Sequence, residues 1–295
     1  MNQLNRDDGL EGKVAVISGQ AADAAREALA TEGIGFWNRA AIAEELAELG
    51  APDFGAVLEA RRVAWRSRPD KTSLLLLHHA ASQLGDPAQV LAEELAYTES
   101  DQQSEPLGGS LFSSLLLLSG EVERATELLS QPTAQREREV SGSILIPYLL
   151  VSASKSLDGA GDAVSWANGY LNNVNRSSGL YGRPGKLDRK GIPKLSELFA
   201  ARICAETIEP MALEFRLEAA LGQLGRDVDA VVSGKRRGEY QKAAEWLADG
   251  ALALSLARGE NAGLSWFREW FTRYPRHVAF RRELERAWPG AASTR

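Results

Sequence analysis

The chain has 295 residues, of which 44% are hydrophobic and 25% charged, and its formal net charge is −6. That makeup can bury a core in one extended domain or two compact ones, so disorder is not the default, and the acidic total excludes whole-molecule attraction to nucleic acid. One cysteine, Cys204, and three histidines exclude an internal disulfide and leave too few soft ligands for a structural zinc site, which points to a reducing compartment. Met1 to Asp8 is acidic and lacks the apolar stretch of a secretory signal. The apolar segment 141–157 falls below the ~20 residues a membrane-spanning helix needs, so a cytoplasmic location without membrane contact is expected.

Taken in chain order, the predicted elements are helices separated by turns. In 36–49, Ile42, Leu46 and Leu49 recur at helical spacing opposite Glu44, Glu45 and Glu48, and Gly50-Ala51-Pro52-Asp53 ends the run. A second helix starts at Asp53, turns Phe54, Leu58 and Trp65 inward, and stops before Pro69, because proline disfavours helix at the residue preceding it. Residues 74–84 and 88–97 form the next pair, hinged at Gly85-Asp86-Pro87. Residues 111–118 and 122–129 follow, hinged at Ser119-Gly120. Residues 144–154 and 162–172 form another pair, in which Pro147 kinks the first helix or marks its true start. Between 173 and 193 the composition turns to Asn, Ser, Gly and Pro, a long loop or a lobe boundary. Helices resume at 194–206 and 210–224. Residues 226–238, with Val228, Val231 and Val232, fit neither pattern. Helices at 239–256, 262–274 and 278–288 close the chain.

The fold class this implies is all-α, either stacked antiparallel hairpins in an α-solenoid or an irregular helical-repeat bundle. Three segments are expected: an acidic lobe over 1–174, a basic loop over 175–193 and a second helical lobe over 194–295. Net charge follows the division roughly, at −11 for residues 1–150 and +5 for 151–295.

In the last hairpin, Leu247, Gly250, Ala251 and Leu254, then Gly263, Phe267, Trp270 and Pro275, sit at spacings that resemble a tetratricopeptide repeat. The resemblance covers mainly 239–276. Within 111–132, Gly120-Glu121-Val122-Glu123-Arg124-Ala125 with Leu128 and Leu129 is similar to the second helix of the same motif. The other hairpins have irregular lengths. The resemblance implies small residues where two helices approach, aromatics in the groove, and a curved surface that binds peptides or proteins. Trp266, Phe267, Trp270 and Phe271 are too many aromatics for one buried stripe, so some are expected at an interface.

Catalytic signatures are sought and not found. Leu10 to Gly19 resembles the first strand of a short-chain dehydrogenase. The Gln20-Ala21-Ala22-Asp23 that follows lacks the glycines a pyrophosphate site requires, and an amino-terminal arm or first helix explains the string better. His78 and His79 are adjacent, so on a helix they diverge by roughly 100° and cannot share a metal. Glu44-Glu45 and Glu93-Glu94 read as exposed acidic faces. No enzyme, cofactor or metal site is expected. One basic feature stands out: Arg176, Tyr181, Arg183, Lys186, Arg189, Lys190 and Lys194 gather in the loop 175–194, where they could track phosphates and stack a base. The expected function is a non-enzymatic scaffold or adaptor that binds a protein partner within a larger assembly. The alternative is a nucleic-acid-associated subunit using that loop and the carboxy-terminal arginines.

Overall fold

The structure is a computed structural model that describes residues 23–24, 26–30, 36–49, 53–100, 107–131, 141–154 and 192–288. Among the described residues the fold is all-α, with helices packed on one another and no strand. None of these helices is long and apolar enough to cross a membrane. The helix expected over 162–172, the amino-terminal arm and the boundary expected at 174/175 lie outside the described residues.

Contacts group the described residues into two compact units, one ending at Leu107 and also taking in 192–194, the other made of 108–154 and 195–288. The first holds α1 (Phe36–Leu49), α2 (Phe54–Ser67), α3 (Lys71–Leu84) and α4 (Pro87–Ser100), each folded back against the one before it. Local chemistry sets the breaks. The Asp53 carboxylate accepts from the backbone N–H of Gly55 at 3.0 Å and of Ala56 at 3.1 Å, capping α2. Asp70 and Ser73 form a reciprocal capping box at the start of α3. Gly85, at φ 100°, takes the left-handed turn that ends α3. Against α2, α1 turns a face of small residues, Ala40, Ala43 and Ala47 with Leu46, all buried.

Glu94 corrects the reading of an exposed acidic pair. Its side chain is fully buried, and it accepts from Arg66 Nε and Nη2, both at 2.7 Å, and from Arg62 Nη1 at 3.1 Å. The Arg66 guanidinium also lies 4.1 Å above the Tyr97 ring. A carboxylate taken out of water needs this degree of pairing, which makes the cluster a clamp of α4 on α2. Only Glu93 of the pair is exposed.

The second unit holds α5 (Gly109–Ser119), α6 (Val122–Ser130), α7 (Gly142–Ser154), α8 (Leu195–Ala205), α9 (Pro210–Ser233), α10 (Tyr240–Arg258), α11 (Glu260–Arg273) and α12 (Val278–Ala287). Its centre is α7, every residue of which from Ile144 to Ser154 is buried. That helix packs against α5, α6, α8, α9 and α10. A helix apolar all round has no solvent face to choose, so it is enclosed. It starts at Gly142, which places Pro147 in its second turn and removes one backbone bond near an exposed end. The 226–238 stretch is largely the continuation of α9 to Ser233: Val228, Val231 and Val232 are buried at helical spacing.

Candidate functional site

Three helices of the second unit build a groove, and glycines decide how closely they meet. Pro210, at the first position of α9, fits the turn that starts a 24-residue helix. A single residue, Gly259 at φ 95°, joins α10 to α11. A Cβ at Gly263 of α11 would lie 2.1 Å from the Ala251 carbonyl oxygen and 2.0 Å from Ser255 Oγ, so α11 rests directly on the α10 backbone. A Cβ at Gly250 of α10 would lie 2.7 Å from a Leu224 methyl and 3.2 Å from the Trp266 ring, so α9 and that indole share the space it leaves.

On this frame α11 distributes its four aromatics. Phe267 is fully buried, with the Trp288 ring 5.2 Å away, and Trp270 is 4% exposed. Trp266 and Phe271 are half-buried. Trp266 meets Trp270 edge-on at 5.9 Å, and Trp270 stacks on Tyr274 at 6.3 Å. The Trp270 ring also lies 3.5 Å from the Cβ position of Gly225 on α9. Of the four residues expected at an interface, two face the unit's own core and two lie at its edge.

Between α9, α10 and α11 runs an open groove of about 350 Å³. Leu221, Gly222 and Gly225 line one side, Trp266 and Trp270 the other, with Leu254 of α10 between them. A second hollow of about 410 Å³ adjoins it on the outer side of the two indoles.

Ion pairs run along the rim. Arg258 bridges Glu218, at 2.6 Å, and Glu214. Its hydrogen bonds to both carboxylates raise its pKa, and the bond from Arg258 holds the Glu214 carboxyl below the usual range. Arg273 and the Tyr274 hydroxyl both converge on Asp229. Burial, reinforced by that hydrogen bond, pushes Tyr274 up to about 12, so the phenol stays a donor. Arg226 differs from the other two arginines: its Nε donates to the neutral Gln223 Oε1 at 2.8 Å, and its Nη1 reaches over Gly222.

No protein-family model matches the chain, and no curated protein or solved structure matches it significantly.

Arg176, Tyr181, Arg183, Lys186, Arg189 and Lys190 lie outside the described residues; Lys194 is exposed just before α8. Several carboxy-terminal cations have partners of their own. Arg236 pairs with Glu239 and Arg286 with Glu283, while Arg281 lies over the Phe271 ring. Among the described residues no group of three or more His, Cys, Asp or Glu is placed to hold a metal ion. His78 is partly buried, and burial together with the neighbouring His79 lowers its pKa to about 4.

Sequence reasoning found Trp266 and Trp270 but missed the α9 side of the groove. The available signal was the pair Gly222 and Gly225 inside a helix, where glycine is costly unless something must come close.

Proposed function

We propose that the chain is a non-enzymatic helical-repeat scaffold or adaptor, a cytoplasmic subunit of a larger assembly, that holds a protein partner in the groove between α9 and α11. The observation that carries the reading is the makeup of that groove: the half-buried Trp266 indole, backed by the buried Trp270, faces a helix face bared at Gly222, with arginine–carboxylate pairs along the rim. Tryptophan and arginine dominate the energetics of protein interfaces, and an open cleft along a helix suits an elongated segment better than a small substrate. The likeness of 239–276 to a tetratricopeptide hairpin belongs to the same reading. Gly250 and Gly263 stand where that motif uses small residues, and the closeness of the helices there supports it.

The test is affinity capture of the tagged chain, with and without nuclease, in parallel with Trp266→Ala, whose helicity is verified by circular dichroism. A protein partner that survives nuclease and is lost with Trp266→Ala is the expected result. Partners that vanish with nuclease would move the function to nucleic acid and the 175–194 loop. A partner indifferent to Trp266→Ala would move the binding site elsewhere.

A further inference from the structure

We infer that the occupant of the groove is an acidic amphipathic helix of a partner protein, lying along α9 with apolar side chains on Met211 and Phe215 and a carboxylate on Arg226. The inference rests on the protein-binding reading above and adds the partner's chemistry.

The first observation is a stripe. Residues 211, 215, 218, 222 and 226 fall on one face of α9, spanning 15 rises or about 22 Å, and Glu218, between Phe215 and Gly222, is paired with Arg258. Met211 is 85% exposed and Phe215 43%, one helical turn apart, and both are large apolar side chains turned to solvent. Gly222, also exposed, then bares the helix backbone: a Cβ there would meet only Arg226 Nη1, at 3.7 Å. Two apolar contacts followed by a notch form a surface another helix can pack against closely.

The second observation is charge. Arg258 is held between two carboxylates, Glu214 and Glu218, which leaves that end of the rim net negative, and Arg273 is matched by Asp229. Arg226 has no carboxylate partner among the described residues; its one hydrogen bond goes to a neutral amide. An occupant that covers the groove removes water from this guanidinium and must return a negative charge to it. Since Nη1 sits beside Gly222, that carboxylate lies over the notch.

The third consideration is backbone accounting. A helix surface offers no free N–H or C=O along its length, so an extended peptide laid on α9 would leave its own polar backbone unpaired, whereas a helical occupant is already satisfied. Phe215 lies seven residues, about 10 Å, from Gly222, and Met211 eleven residues, about 16 Å. A helix alongside α9 therefore carries apolar side chains at two positions four apart and an acid about seven residues beyond the nearer one.

The experiment selects from a displayed library of helix-biased 18-residue peptides against the whole chain, with Trp266→Ala for counter-selection. Selected peptides are then titrated by fluorescence anisotropy. Peptides enriched in that apolar–acidic spacing, helical when bound and weakened about tenfold by Arg226→Glu or by Glu→Gln in the peptide, are expected. Peptides that need Trp266 but carry no acid and ignore Arg226→Glu would overturn the inference while leaving the groove as the binding site. Peptides that ignore Trp266 would overturn both. Failure to select any peptide would overturn the helical occupant, and the broader reading would stand or fall on the capture experiment. A dimer in sedimentation that Met211→Glu dissociates would make a second copy the occupant and overturn the inference.

Discussion

Gly263 and Ala251 approach so closely that no side chain fits between them: the Cβ of any other residue at 263 would stand 2.1 Å from the Ala251 carbonyl oxygen. The obstacle is main chain, so no rotamer change relieves it. Gly263→Ala is expected to push α11 off α10 at a cost of about 2–3 kcal/mol, read as a lowered midpoint in urea unfolding. An unchanged midpoint would show that the two helices separate without penalty.

Gly222 predicts the opposite. Nothing but a flexible guanidinium end stands near its Cβ position, so Gly222→Ala is expected to stabilise the helix by about 0.5–1 kcal/mol. The same methyl fills the notch over which a partner would pack. A variant that melts higher but captures its partner less well is the expected combination, measured by thermal denaturation and binding side by side.

Glu94 and Glu93 provide a matched pair one residue apart. Glu94→Ala removes the buried carboxylate shared by Arg62 and Arg66, leaving Arg62 with Glu93 and Glu59, and is expected to cost about 2–3 kcal/mol. Glu93→Ala removes an exposed partner of Arg62 and is expected to cost less than about 1 kcal/mol. Equal effects in chemical denaturation would mean that the buried clamp contributes no more than a surface pair.

His78 makes the first unit sensitive to acid. Its folded pKa is about 4 against an ordinary 6.5, so the unfolded chain binds the proton more readily between those values. Stability from this group is fully present above about pH 6.5 and is lost as pH falls toward 4, at most roughly 2–3 kcal/mol. His78→Gln, which cannot titrate, is expected to flatten the fall in Tm between pH 7 and pH 5. An identical slope in both proteins would assign the acid sensitivity to other groups.

The capping box of Asp70 and Ser73 was not read, and α3 starts at Lys71 rather than at the expected 74. The boundaries at Asp53 and Gly85 were legible, because those residues cap or end their helices through groups only a few residues away, which periodicity and turn chemistry can find. The course of 226–233 was not, because valines favour strands by propensity and only burial against other helices settles their state. Glu94 was unreadable for a different reason: its partners lie 28 and 32 residues earlier, on α2. The same holds for the groove. Its indoles announced themselves as a surplus of aromatics, but the α9 face opposite them belongs to a helix that begins 56 residues before Trp266 in the chain.

The enclosure of α7 has a consequence for how the molecule comes into being. Of the helices that cover it, α9 and α10 are made only after residue 209, more than fifty positions later. Through that interval of synthesis an apolar rod from Ile144 to Ser154 has no complete shelter, and the unit closes around it late and through contacts distant in sequence. Its carboxy-terminal half is thus the cover rather than an appendage. A chain interrupted before Tyr240 would yield an adhesive, aggregating fragment instead of a smaller version of the same fold.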